Sequence, residues 1–278
     1  MSELQHPLAL STDAGMATVY DQGAHVASWT PYGNDPVLFV SRRSGFTVGS
    51  PIRGGIPVCF PWFGPGRSGD RTPSHGFARI VEWSRVRTED STAVFELSDA
   101  ALSPEHRESF PHAFRAQLQV TAGASLEVRL TVENTGEEAF EIEEALHTYL
   151  AVGDVREVVV HGLEDAQHLD KTRGHALTPA AGEPLRLTGE TDRVYLSSGP
   201  VAVEDPVLGR RLRITTQGAA NTVVWNPWTE KAAAMPDFGD EEWPAMLCIE
   251  GANALDDAVT VEPGSAHAMS YRIDVETD

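Results

Sequence analysis

Between Phe114 and Val132 the chain alternates apolar and polar residues with a period of two. Phe114, Ala116, Leu118 and Val120 alternate with Arg115, Gln117, Gln119 and Thr121. After a turn at Gly123, Leu126, Val128, Leu130 and Val132 alternate with Glu127, Arg129, Thr131 and Glu133. Successive strand side chains leave on opposite faces, so each run predicts a strand with one buried and one wet face. A second turn, Asn134–Gly136, leads to Phe140, Ile142 and Leu146, and the three segments together predict a three-stranded meander.

Noisier strand patterns cover Thr18–Tyr20, His25–Trp29, Val37–Val40, Ala93–Leu97, Asn221–Trp225 and Met246–Glu250, with a last alternation through Met269, Tyr271, Ile273 and Val275. The clearest helix start is Ser103-Pro104-Glu105, where Ser can cap and Pro fits the first helical position, and this short helix must end before Pro111. No internal repeat or linker breaks the chain. The pattern predicts an all-β protein of two large packed sheets, in one domain over residues 1–278.

The 278 residues, 41% hydrophobic and 22% charged, suffice for a buried core. The 24 glycines and 18 prolines suit short strands joined by turns. A net charge of −20 argues against nucleic acid or an anionic membrane as partner, since both attract basic surfaces. An anionic small molecule stays possible where a few arginines converge. Cys59 and Cys248 form no C-x-x-C pair and predict two buried thiols, with neither a zinc site nor a disulfide framework. No signal peptide or membrane-length apolar run is visible, so a cytoplasmic location and a monomer are expected.

Four segments carry unusual chemistry. Pro51-Ile52-Arg53-Gly54-Gly55-Ile56-Pro57-Val58-Cys59-Phe60-Pro61-Trp62-Phe63-Gly64 is either a sugar-stacking loop carrying an arginine or a crossover packing its aromatics into the core. Ser74-His75-Gly76-Phe77-Ala78-Arg79 sets a proton donor beside an anion clamp, or holds a merely structural histidine. In Ala145-Leu146-His147-Thr148-Tyr149-Leu150, His147 and Tyr149 take the parity opposite to Phe140, Ile142 and Leu146. They therefore face a binding surface or open solvent. Glu250 ends the apolar strand Met246-Leu247-Cys248-Ile249-Glu250-Gly251 that follows Val223-Val224-Trp225-Asn226-Pro227-Trp228. It is an exposed strand end or, if it faces a cleft, a base.

At these segments the chain resembles the hexose-6-phosphate mutarotases of the aldose 1-epimerase superfamily. PIRGGIPVCFPWFG, SHGFAR, HTYL, ETDRVY, VVWNPW and LCIEGAN occur in that family's order from about Pro51 to Asn253. The resemblance implies a large antiparallel β-sandwich with few short helices, whose concave face binds the sugar. It implies His147 as general acid on the ring oxygen, Glu250 as general base at the anomeric hydroxyl, and His75 as a second active-site histidine. It also implies Arg53 and Arg79 at the phosphate and Asp192 at the substrate. Ser74 stands where the family often has Gln, and its shorter side chain loses reach; HTYL for HTYF bears on packing. The implied activity interconverts the α and β anomers of a hexose 6-phosphate, glucose 6-phosphate first among them, by ring opening and reclosure. One acid and one base suffice, so no metal and no redox cofactor is expected. A non-catalytic sugar-binding sandwich and a glycoside hydrolase are the alternatives, although a hydrolase ordinarily needs two carboxylates.

Overall fold

A computed structural model describes residues 2–4 and 7–277. Two eight-stranded antiparallel sheets dominate it. The first, the scaffold sheet, runs in the order Val159–His161, Val201–Asp205, Arg210–Gln217, Ala266–Thr277, Ser125–Asn134, Phe114–Ala122, Thr92–Ser98, Ser84–Thr88. The second, the site sheet, runs Ala176–Thr178, His168–Asp170, Thr191–Tyr195, Asn221–Asn226, Met246–Asn253, Glu144–Leu146, Val58–Cys59, with Tyr149–Ala151 also paired to Met246–Asn253. A three-stranded sheet near the N-terminus and a two-stranded ribbon complete the β-structure. Helices are few and short, the longest being Trp228–Ala234. Among the described residues, no helix is long and apolar enough to cross a membrane.

The alternation of Phe114–Ala122 and Ser125–Asn134 appears as expected: Ala116, Leu118, Val120, Leu126, Val128 and Leu130 are buried on one face. They join a hydrophobic cluster that extends from Leu10 to Ile273 and fills the space between the sheets. Burying a side chain of this size contributes about 1.5–3 kcal/mol, so the two strands are fixed by the core rather than by their turn. The predicted helix forms as Pro104–Ser109, with Ser103 Oγ accepting from the His106 amide.

The expected third strand of the meander is corrected. Phe140–Ile142 pairs with Val259–Val261 in the separate ribbon, and Glu144–Leu146 joins the site sheet. The place beside Ser125–Asn134 is taken by Ala266–Thr277. Asn134 explains the departure. It is buried, its side-chain amide donates to the carbonyls of Glu138 and Val261, and its oxygen accepts from the Gly136 amide. Those bonds turn the chain out of one sheet toward the other, which period-two patterning cannot register. The Val37–Val40 segment likewise makes only isolated bridges, to Leu150 and Gly54.

Candidate active site

Directly opposed residues of an antiparallel sheet share a face. In the site sheet the register places Asp192, Trp225, Cys248 and Tyr149 in one row, and Val194, Val223 and Glu250 in the next. The pairs Leu146–Gly251 and Tyr149–Cys248 lie in one continuous register, which sets His147 opposite Glu250. The ladder is interrupted there because the Thr148 amide turns onto the Leu146 carbonyl, 2.8 Å away. His147 therefore shares the face of Tyr149, as its parity predicts. That face is covered rather than wet: Tyr149 is buried, and the imidazole stacks on its ring at 4.8 Å between centroids and 10° between planes.

His147 Nδ1 and Glu250 Oε1 lie 3.3 Å apart, on side chains 9% and 1% exposed. They are close without being aligned as a hydrogen bond, and His147 Nδ1 and Glu250 Oε2 are buried with no partner. Unpaired buried polar atoms are costly and uncommon in native interiors. Burial drives the Glu250 carboxyl well above the usual carboxylate range, with the Lys171 and Arg79 charges opposing and Asp192 reinforcing the rise. Burial also drives His147 well below the usual imidazole range, helped by the charges of Arg79, Arg53 and Lys171. Both effects favour the uncharged pair, with the proton on the carboxyl.

The Ser74–Arg79 loop brings His75 against His147, with ring centroids 5.5 Å apart. His75 holds a left-handed backbone at φ 65°, and its amide donates to the Gly64 carbonyl. Gly76 lets the loop press on the Phe60 carbonyl, because a Cβ there would lie 2.0 Å from that oxygen. The Gly64 amide donates to His75 Nδ1, which leaves the ring proton on Nε2. Burial and neighbouring cations hold this imidazole neutral, well below its ordinary range. It is thus a fixed neutral donor.

His75, His147, Glu250, Arg53 and Asp192 line one cleft of about 260 Å³, together with Phe63, Trp225 and Val223. That volume lies just under the roughly 300–1,000 Å³ usual for small-molecule sites and suits one monosaccharide. Larger concavities, of about 450 Å³ beside Arg67 and about 600 Å³ beside His168, lack this acid/base pair. Arg53 Nη1 donates to the Tyr149 hydroxyl, while Nε and Nη2 donate to Asp237. Burial opposes its charge, but Tyr149 and Asp237 outweigh that and hold the guanidinium above its ordinary range.

Arg79 and Ser74 do not line the cleft. Arg79 Nη2 donates to the Ser74 carbonyl, its Nε is buried without a partner, and it makes no ion pair among the described residues. The Ser74 side chain is exposed. Pattern reading missed Lys171, Lys231 and Met235 as lining residues. The lysines had one available signal, their being the only two in the chain.

Both thiols are buried and burial pushes them up, so they are poor nucleophiles. His147, Cys248 and Glu250 do bring three ligand-type atoms within 4.8 Å of one another. The charges of Arg79, Arg53 and Lys171 act on His147 in this cluster, and like charge opposes a further cation there. The arrangement suits proton exchange better than an ion.

The family model for aldose 1-epimerase matches residues 8–274. This chain belongs to the aldose 1-epimerase family. Two relatives named "Putative glucose-6-phosphate 1-epimerase" are each 36% identical. The one from Cenchrus ciliaris aligns over 89% of this chain and 78% of its own length, and the one from Escherichia coli over 91% and 85%. The crystal structure of a "putative mutarotase (YeaD)" from Salmonella typhimurium superposes with a TM-score of 0.86 at 28% identity, covering 100% of this chain and 96% of that one. At 15% identity, a galactose mutarotase-like protein from Lactobacillus casei still gives a TM-score of 0.78, a likeness of fold. The two-sheet architecture with few short helices is that of the galactose mutarotase-like sandwich, and family membership brings sugar epimerase chemistry with it.

Proposed function

We propose that this aldose 1-epimerase family member is a mutarotase that interconverts the anomers of a hexose 6-phosphate, with Glu250 and His147 as the proton-transfer pair. The observation that carries the reading is the buried His147–Glu250 pair, 3.3 Å apart and with an unpartnered atom on each residue, facing a monosaccharide-sized cleft. A purely sugar-binding sandwich gains nothing from so costly a pair.

In the forward step the Glu250 carboxylate takes the proton of the anomeric hydroxyl while the His147 imidazolium gives its proton to the ring oxygen. The C1–O5 bond breaks and leaves an open-chain aldehyde. Rotation about C1–C2 and reclosure, with both proton transfers reversed, yield the other anomer. Each transfer contributes roughly 10²–10⁴-fold. Ring opening converts carboxylate and imidazolium into the uncharged pair, which is the pair that burial favours. Burial thus stabilises the protonation state of the open-chain complex; reclosure restores carboxylate and imidazolium, and when the free pair rests uncharged a single proton passing from Glu250 to His147 readies it for opening. His75 Nε2–H donates toward the sugar oxygens.

The phosphate is assigned to Arg53 and Arg79. The relatives' names support a 6-phosphate substrate. So does Arg79, a guanidinium without a carboxylate partner among the described residues of an acidic chain. An anion is the partner such a group lacks. NMR exchange spectroscopy on glucose 6-phosphate and on glucose tests the proposal: faster α/β exchange of the phosphorylated sugar without its consumption is expected. Absence of acceleration would overturn the mutarotase reading, and equal acceleration of both sugars would overturn the phosphate.

A further inference from the structure

The chain has two lysines against nineteen arginines, and both lysines line the Glu250 cleft. They arrive from unrelated places. Lys171 opens the turn Lys171–Arg173, which the Asp170 side chain caps through the Thr172 amide. Lys231 lies on the helix Trp228–Ala234. Both reach the same carboxylate: Lys171 Nζ is 3.1 Å from Asp192 Oδ1 and Lys231 Nζ is 3.9 Å from Asp192 Oδ2. Lys231 is further held by Glu190 at 2.8 Å, and Lys171 Nζ sits 5.1 Å from the Phe63 ring centroid.

The residue type matters as much as the place. Elsewhere this chain pairs its carboxylates with arginine, as in Arg85–Asp21 and Arg156–Asp154, where one guanidinium spans both oxygens. Such a fork occupies the carboxylate. An ammonium is a point charge that takes one oxygen and leaves lone pairs over; an ionised carboxylate offers about four acceptor sites. Asp192 stands in the row of Trp225 and Cys248 on the cleft face of the sheet, so its spare acceptor capacity opens where a sugar ring would lie.

We infer that Lys171 and Lys231 are positioning residues that orient Asp192 as an acceptor for the ring hydroxyls of the sugar, leaving the phosphate to Arg53 and Arg79. The inference rests on the substrate class proposed above and divides the site by chemistry: Asp192 accepts hydroxyls inside the cleft, while the phosphate falls to Arg53 on the cleft wall and to Arg79 outside its lining. The chain carries no other side-chain amine, so amine-directed modification of its side chains falls on this cleft alone.

The test uses 1,5-anhydroglucitol and its 6-phosphate, ring compounds without an anomeric hydroxyl that can bind but not turn over, titrated calorimetrically into the full chain. Lys171→Gln is expected to weaken both by the same factor, about tenfold for one charge-assisted hydrogen bond, so that their affinity ratio is unchanged. Arg79→Gln should collapse that ratio. Lys171→Arg keeps the charge and the ion pair, yet should bind both compounds about as weakly as Lys171→Gln, because the fork occupies Asp192. Unchanged affinities in Lys171→Gln, a loss confined to the 6-phosphate, or wild-type affinities in Lys171→Arg would each overturn the inference. A wild-type chain that binds both compounds without exchanging anomers refutes the mutarotase reading instead, and leaves the lysine measurement standing.

Discussion

The two large sheets have eight strands each and bury their residues in different ways. Phe114–Ala122 and Ser125–Asn134 alternate buried with wetter positions almost without error. Asn221–Asn226 and Met246–Asn253 are buried at every position. In the scaffold sheet, period two records a single core face. The site sheet has the core on one side and, on the other, a small apolar cluster of Cys59, Phe63, Ala145, Val194, Val223 and Ala252 that adjoins the cleft. A polar residue in the scaffold sheet is ordinarily on the wet face and cheap. In the site sheet Glu250 and His147 cannot reach solvent freely, so they are expensive and their protonation is set by the protein. A buried polar residue on a strand without alternation is therefore the informative one.

The sharpest break between the sheets should come from the expensive pair. Glu250→Gln and His147→Asn are each expected to lower kcat/KM for anomer exchange of glucose 6-phosphate by roughly 10²–10⁴ while leaving the thermal midpoint at or above wild type, since each removes a poorly solvated ionisable group. Wild-type kcat/KM should follow a bell in pH, because the active pair carries one proton in either arrangement. The acid limb, where the pair gains a second proton, lies below the ordinary histidine range because His147 is depressed. The alkaline limb, where the last proton leaves, lies well above the carboxylate range because Glu250 is raised. An alkaline limb unchanged in Glu250→Gln would remove that carboxyl from the mechanism.

The scaffold sheet should show the reverse pattern. Leu130 is fully buried in the inter-sheet core, and Leu130→Ala is expected to cost about 2–5 kcal/mol of unfolding free energy in urea titrations. The kcat/KM of the molecules that remain folded should stay within about twofold of wild type. A comparable loss of turnover in folded protein would show that the two sheets are coupled more tightly than their separate burial patterns indicate.

The same difference decides how much could be read in advance. Period two located Phe114–Ala122 and Ser125–Asn134 nearly residue by residue, because their burial is one-sided, but did not place the scaffold strands Val159–His161, Val201–Asp205, Arg210–Gln217 and Ser84–Thr88. It also gave His147 and Tyr149 a common face. It mistook the strand after Asn134 for a third meander strand, because the deciding bonds come from the Asn134 side chain to the carbonyls of Glu138 and Val261, the latter 127 residues away. Lys171 and Lys231 sit in a short turn and a short helix that carry no periodicity, so pattern said nothing of them. For Arg79, the motif named the residue, while only the three-dimensional arrangement shows a guanidinium with an orphaned Nε.

Arg79→Gln is the next smaller effect. It should reduce the preference for glucose 6-phosphate over glucose by roughly 10–100-fold, the worth of a charge-assisted contact, with exchange of unphosphorylated glucose nearly unchanged. A variant that loses both sugars equally would place Arg79 in the fold rather than at the phosphate.

The smallest effect concerns one of the hydrogen bonds between the sheets. Glu144, fully buried in the site sheet, accepts from His267 of the scaffold sheet at 2.9 Å and from the Asn253 amide at 2.9 Å. The hydrogen bond to Glu144 raises the His267 pKa above its ordinary 6.5, against burial, with the Glu144 charge and the Gly218 carbonyl adding to the rise. The sign follows from linkage: the folded state binds this proton more tightly than the unfolded chain, so the stabilisation is complete below the unfolded histidine pKa. It fades as pH rises through the raised folded value. Wild type should therefore lose stability between about pH 6.5 and the more alkaline folded value, and His267→Gln should lack that component. The difference between their urea midpoints, followed over this range, isolates it from every other titrating group common to both. A difference that stays constant or widens with pH would mean that His267 is neutral in the folded protein. The two sheets would then be held together by their shared apolar core and by ties such as that of the Tyr271 hydroxyl to the Ile249 carbonyl, and the charge of His267 would play no part.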